Sequence, residues 1–208
     1  MAINHSKKNS KKAGSLRIIG GTWRSRRLPV ADVAGLRPTP DRVRETLFNW
    51  LAAQTTEVRC LDLFSGTGAL GLEALSRGAS HVTFVERSAS AASMLRHNLI
   101  TLSCDRAAVV QADALAWSQR PPKQAYDLVF LDPPFHKGLL APICRQLDET
   151  GYLAPGARLY AESESGLAAF GQGLPQHWSL LKEKRAGLVT SRLYRIDTKT
   201  PTAPLTRQ

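Results

Sequence analysis

Two short runs restrict this chain more than anything else in it. They are Leu61-Asp-Leu-Phe-Ser-Gly-Thr-Gly-Ala-Leu-Gly71 and, further along, Val129-Phe-Leu-Asp-Pro-Pro-Phe135. The first reads as a strand that enters a glycine-rich turn and then a helix, the way a parallel sheet receives a nucleotide-like cofactor. The second reads as a buried strand ending in an acid, two prolines and an aromatic ring. Their order along the chain suits transfer of a methyl group from S-adenosylmethionine to a planar amino group on a base.

The chain around these runs alternates in type. Strands are predicted at Arg59–Phe64, His81–Glu86, Ala107–Gln111, Asp127–Leu131 and Ala157–Glu162. Helices are predicted between them, at Ala69–Arg77, Ser88–Ser103 with Ser88 as cap, through Trp117, at Leu139–Thr150, and at Ser165–Phe170. Such alternation implies an α/β, Rossmann-like, mostly parallel and doubly wound sheet. Trp178–Lys184 and Leu188–Ile196, joined by Ala186-Gly187, read as a closing hairpin that adds one antiparallel strand. Ahead of the sheet, Ser15–Val30 reads as a small strand pair around Gly20-Gly21 with arginines on the solvent side. Thr39-Pro40-Asp41 reads as a helix start with Thr39 as cap, and Val43, Leu47, Trp50 and Leu51 as its packing face. Four segments follow: a basic tail at 1–14, a hairpin at 15–36, the catalytic domain at 37–197, and a frayed tail at 198–208.

Charge is concentrated at one end. The chain of 208 residues has a net charge of +11, and residues 1–44 hold eleven lysines and arginines against Asp32 and Asp41 only. A basic segment on a nearly neutral body points to a polyanionic partner, although Lys7, Lys8, Lys11 and Lys12 serve equally well as a solubilising tail. No apolar run reaches the roughly 20 residues of a membrane span, and the N-terminus lacks a secretory apolar core. Cys60, Cys104 and Cys144 lack metal or disulfide spacing and read as small hydrophobes. A cytoplasmic monomer with no metal is expected, since no segment argues for a dimer.

Gly66, Gly68 and Gly71 satisfy GxGxxG, a pattern that also fits dinucleotide enzymes and plain strand-to-helix turns. Glu86, ending the next strand, is placed to accept both ribose hydroxyls, and Asp113, ending the third, an adenine amine. Asp113 is also a natural helix cap. Asp62 either holds the cofactor's ammonium group or orients the loop. Phe64, Ser65, Thr67, Arg87 and Ala114 complete the expected cofactor-binding set.

Asp132-Pro133-Pro134-Phe135 decides between the cofactor classes. An exocyclic base amine is a poor nucleophile because its lone pair is delocalised into the ring. The Asp132 carboxylate and the Pro133 carbonyl supply one acceptor for each N–H and aim the lone pair at the methyl group. Proline stiffens the segment, and Phe135 is placed to stack on the base. A hydride-transferring enzyme needs an acid/base partner for nicotinamide, and no Tyr-x-x-x-Lys pattern occurs. Of the histidines between the two runs and just beyond, only His136 adjoins the expected site.

These residues resemble the class I S-adenosylmethionine-dependent methyltransferases with an Asn/Asp-Pro-Pro-aromatic motif. Arg17-Ile-Ile-Gly-Gly-Thr-Trp-Arg-Ser-Arg-Arg-Leu-Pro29, Leu36-Arg-Pro-Thr-Pro-Asp-Arg-Val-Arg-Glu-Thr-Leu-Phe-Asn49 and Asp62–Gly71 narrow the likeness to the RsmD family, as does the closing Arg192-Leu-Tyr-Arg-Ile196. That family methylates N2 of a guanine in 16S ribosomal RNA of the small subunit. The resemblance implies a seven-stranded sheet, an N-terminal hairpin that grips RNA, and a 30S subunit or assembly intermediate as substrate. It further implies phosphate contacts from Arg17, Arg24, Arg26, Arg27 and Arg37. Two other readings stay open at this point. One is a DNA adenine-N6 or cytosine-N4 methyltransferase, for which the chain has no room for a target-recognition region. The other is a non-catalytic RNA-binding protein on the same scaffold.

Overall fold

In the computed structural model, residues 14–165 except 34, 37 and 53, together with residues 173–198, are described. The lysine-rich tail, Arg37, most of the expected helix at Ser165–Phe170 and the tail beyond Thr198 lie outside the described residues.

Short apolar runs alternate with helices, and each strand after the first helix takes its place in one sheet. In chain order the elements are β1 (Ser15–Arg17), β2 (Arg27–Pro29), α1 (Asp41–Leu51), β3 (Arg59–Asp62), α2 (Ala69–Ser76), β4 (His81–Glu86) and α3 (Ala89–Thr101). They continue with β5 (Ala107–Gln111), α4 (Ala114–Trp117), β6 (Tyr126–Leu131), α5 (Leu140–Glu149), β7 (Leu153–Glu164), β8 (Trp178–Ala186) and β9 (Val189–Ile196). The strands from β3 onward form a seven-stranded sheet in the order β5-β4-β3-β6-β7-β9-β8. β3 to β7 run parallel, and β9 is antiparallel to both of its neighbours. The strand order reverses at β3, which opens a crevice between its carboxyl end and that of β6.

The period of two along each strand sorts the core into two layers. Cys60, Phe84, Phe130, Tyr160 and Leu193 face α1, α2 and α3. Leu61, Val85, Val129, Leu159 and Tyr194 face α4 and α5. The hairpin β1–β2 shares the first layer: Leu16, Ile18, Leu28 and Val30 are buried in it. Burying each contributes about 1.5–3 kcal/mol, which no two-stranded ribbon could gain alone.

Four local expectations shift. α1 starts from Pro40 with no side-chain cap, because Thr39 turns its hydroxyl to Asp132 and its carbonyl to Arg44 Nε at 3.1 Å. Its buried side is Arg44, Leu47, Phe48 and Leu51, with Val43 and Trp50 half-buried, because the Arg44 guanidinium is drawn inward by Glu73. β7 begins at Leu153, earlier than expected, since a register shift between Tyr126 and Leu128 accommodates Pro155 and Gly156. The last turn falls at Gly187-Leu188, with Gly187 at a φ of 59°. Cys60 and Cys144 are buried free thiols and Cys104 is half-buried. No helix among the described residues is long and apolar enough to cross a membrane.

Candidate active site at the carboxyl ends of the strands

The glycine turn follows β3. Gly66 and Gly68 take φ of 52° and 77°, backbone that L side chains rarely adopt. A Cβ on Gly68 would stand 2.5 Å from Leu95 Cδ1. Gly71 has another reason to be bare: a Cβ there would meet the Phe84 ring at 2.2 Å, so it sets how closely α2 packs on β4. Ser65 fastens the loop through its N–H to the Val85 carbonyl at 3.0 Å and its hydroxyl to the Asp62 carbonyl at 2.7 Å.

Two carboxylates brace this turn. Glu86 Oε2 accepts the Gly66 N–H at 2.8 Å and Oε1 accepts the Ser88 N–H at 2.6 Å. Each oxygen keeps a lone pair, a donor set that fits a ribose diol. Asp62 Oδ2 accepts the Gly71 N–H at 3.0 Å from a buried position. Burial pushes its carboxyl up to about 7, with the Glu86 charge adding to the rise and the Gly71 bond opposing it. The loop-orienting alternative read from the sequence therefore describes its visible contact. Asp113 caps α4 by accepting the Ala116 N–H at 3.1 Å and lies exposed at the end of β5, with Ala114 buried behind it. Phe64 is half-buried, Thr67 buried and Arg87 exposed.

Asp132 follows β6, across the crevice from the turn. Pro133 is buried, Pro134 exposed and Phe135 half-buried. Burial holds the Asp132 carboxyl well above the usual range, the charges of Glu162 and Asp62 add to this, and the Thr39 hydroxyl opposes it. His136 is exposed at a φ of 60°, and its N–H donates to Glu164 Oε1 at 3.1 Å. The structure thus brings Asp62, Gly66, Gly68, Glu86 and Asp132 to one end of one sheet face, with Asp113 at its margin.

The basic hairpin lies beside α2 and is bolted to it. Glu73 is 0% exposed and accepts from four donors: the N–H groups of Ile19 (2.9 Å) and Gly20 (2.8 Å), Arg77 Nε (2.8 Å) and Arg44 Nη1 (3.3 Å). Arg44, also 0% exposed, donates through Nη2 to the Arg17 carbonyl at 2.8 Å and to Asp41 at 2.6 Å. Gly21 meets α2 with no clearance, since a Cβ would stand 1.8 Å from the Ser76 carbonyl oxygen. Of the arginines expected to face RNA, Arg17, Arg24, Arg26 and Arg27 are all exposed. Arg17 pairs with Asp41 at 2.7 Å, and Arg26 donates to the Thr101 carbonyl at 3.1 Å.

Sequence reading missed Arg44, Glu73, Tyr160 and Glu162. The only signal for Glu162 is an acid following the apolar run Leu159-Tyr160-Ala161, and its partner becomes visible only once β6 and β7 are paired.

Comparison with known proteins agrees with this geometry. The family model described as conserved hypothetical protein 95 matches residues 16–195. Ribosomal RNA small subunit methyltransferase D of Escherichia coli (strain K12) is 48% identical over 190 residues, covering 90% of this chain and 93% of the relative. The protein of the same name from Haemophilus influenzae is 47% identical over 184 residues, covering 87% and 94%. The solved structure of yhhF from Escherichia coli is 46% identical with a TM-score of 0.81, covering 89% of this chain and 100% of that one.

Proposed function

The chain belongs to the RsmD family, described as conserved hypothetical protein 95, and on that premise we propose that it transfers a methyl group from S-adenosylmethionine to the exocyclic N2 amine of a guanine in 16S ribosomal RNA. The observation that carries this is the position of Asp132-Pro133-Pro134-Phe135 at the end of β6, facing the glycine turn across the point where the strand order reverses. The names of the relatives favour small-subunit ribosomal RNA over DNA, and an intact turn and Asp132 count against a binding-only role.

The cofactor supplies an electrophilic methyl group; the chain's residues bind and aim. Backbone at Gly66 and Gly68 lies against it, Glu86 takes its ribose and Asp113 its adenine. Asp132 and the Pro133 carbonyl accept the two N–H bonds of the base amine, and Phe135 stacks on the ring. Catalysis is then positioning plus electrostatics, with no covalent intermediate on the protein. A target base must leave its stack to enter, which is cheapest in a loop or a partly assembled 30S particle. Arg17, Arg24, Arg26 and Arg27 on the hairpin contribute phosphate contacts that hold the RNA without reading sequence.

The test is transfer of tritium from labelled S-adenosylmethionine to 30S subunits lacking the modification, followed by nucleoside analysis. Labelled N2-methylguanosine in 16S RNA is expected, and label in DNA or in another nucleoside overturns the assignment. Asp132→Ala should retain cofactor binding while transfer falls by about a hundredfold or more; near-wild-type turnover would remove Asp132 from the reaction.

A further inference from the structure

One buried acid on the site's face of the sheet has no part in holding cofactor or base. Leu131 and Ala161 are the last partners in the parallel ladder of β6 and β7, so Asp132, one residue past the end of β6, is carried toward Glu162, the next residue of β7. Alternation puts both on the face of Phe130 and Tyr160. Glu162 is 5% exposed, and Oε1 accepts the Tyr160 hydroxyl at 2.7 Å. Tyr160 is bonded in turn to the Ser191 hydroxyl at 3.0 Å. Among the described residues no lysine or arginine forms an ion pair with either acid.

Adjacent strands lie about 4.8 Å apart, and two desolvated carboxylates on neighbouring strands, with no described cation between them, make a second charge costly. We infer that Glu162 is a positioning residue of the transfer step, holding one proton in common with Asp132 so that Asp132 offers the base amine one free acceptor oxygen. The identity of that amine rests on the proposed function; the shared proton does not.

Other groups bias the pair from several sides. Burial raises the Glu162 carboxyl and the Tyr160 bond draws it back; burial and the Glu162 charge raise Asp132. Asp62 on β3 adds a third acid from the same face, with Glu86 on β4 beyond it. The Thr39 hydroxyl, ahead of α1, donates to Asp132. On the far side of Tyr160, a cleft lined by Arg42, Lys184 and Ser191 opens to the surface.

The arrangement balances the reaction. The amine nitrogen gives its lone pair to the methyl carbon as the carbon–sulfur bond breaks, and that bond's electrons stay on sulfur. One N–H bond then breaks, its electrons return to nitrogen, and the proton passes to the free oxygen of Asp132. The pair now carries two protons and no charge, and one proton leaves to water before the next turnover.

Infrared spectroscopy of the whole chain in an Asp62→Asn background, which removes the third buried acid, tests this without methyl donor or RNA. The carbonyl stretch of a protonated carboxylic acid should persist at neutral pH. In Glu162→Gln its midpoint should fall by at least about one pH unit, because the like charge is gone. In Tyr160→Phe, which loses a donor to the ionised form at nearly constant volume, the midpoint should rise. No such band at neutral pH, or a midpoint unmoved in Glu162→Gln, overturns the inference. Failure of methyl transfer to RNA would instead count only against the proposed function.

Discussion

Two groups of buried charge share one face of the sheet and are built on opposite plans. Around Glu73 the charges are closed: two guanidinium groups and two backbone N–H groups surround one carboxylate, and Arg44 is spent on Glu73, Asp41 and two carbonyls. Around Asp132 and Glu162 the charges are alike, and among the described residues hydroxyl groups support them. The first plan holds a structure together, because removing any member strands its partners in a dry place. The second costs stability and leaves acceptors ready for a ligand that brings its own N–H groups. Buried charge thus reports its use by whether it is neutralised.

The sharpest way to break this contrast is Glu73→Ala. It leaves Arg44 without its buried partner and the Ile19 and Gly20 N–H groups without an acceptor, so a loss of roughly 3–5 kcal/mol in denaturant unfolding is expected. A loss below about 1 kcal/mol would mean that the closed group is ornamental.

Asp62→Asn should have the opposite sign. The variant keeps an acceptor for the Gly71 N–H but removes a carboxyl that burial has raised to about 7. A raised folded pKa means that this carboxyl's contribution is full below about pH 4 and is lost as pH climbs through 7. Wild type should therefore lose roughly 2–4 kcal/mol relative to Asp62→Asn between pH 4 and 8. A parallel pH dependence of the two proteins would show that Asp62 titrates normally.

The smallest effect is expected from replacing Arg24, Arg26 and Arg27 together. None belongs to the closed group, so unfolding should barely change. RNA affinity should fall about tenfold, with a salt slope shallower by about 2, and cofactor affinity should stay as it was. An unchanged salt slope would take the hairpin out of the RNA site.

Most of the sheet was legible because its strands are short apolar runs bounded by Gly, Ser and Asp; β4 and β5 fall where the pattern put them. The glycine turn and Asp132 were legible because each packs several constraints into consecutive residues. Arg44 and Glu73 were not. Arg44 sits among the other charged residues of α1, Glu73 is a lone acid in an apolar helix, and their partners lie on segments 27 to 54 residues away. Thr39 misled for a related reason. Ahead of Pro40 and Asp41 it has every local mark of a cap, yet its hydroxyl serves Asp132 on a distant strand. Glu162 was invisible because strand pairing, not spacing, brings it to Asp132.

The bolt between hairpin and α2 also sets an order of events during synthesis. β1 and β2 are three residues each, too short to persist alone, and the carboxylate that secures Ile19 emerges from the ribosome 54 residues later. The arginines at the start of the chain therefore acquire a fixed spacing only after the glycine turn and most of α2 have been made. A nascent chain stopped short of Glu73 would carry the same charge but no template, so nucleic acid would meet it as a polycation and not as a surface.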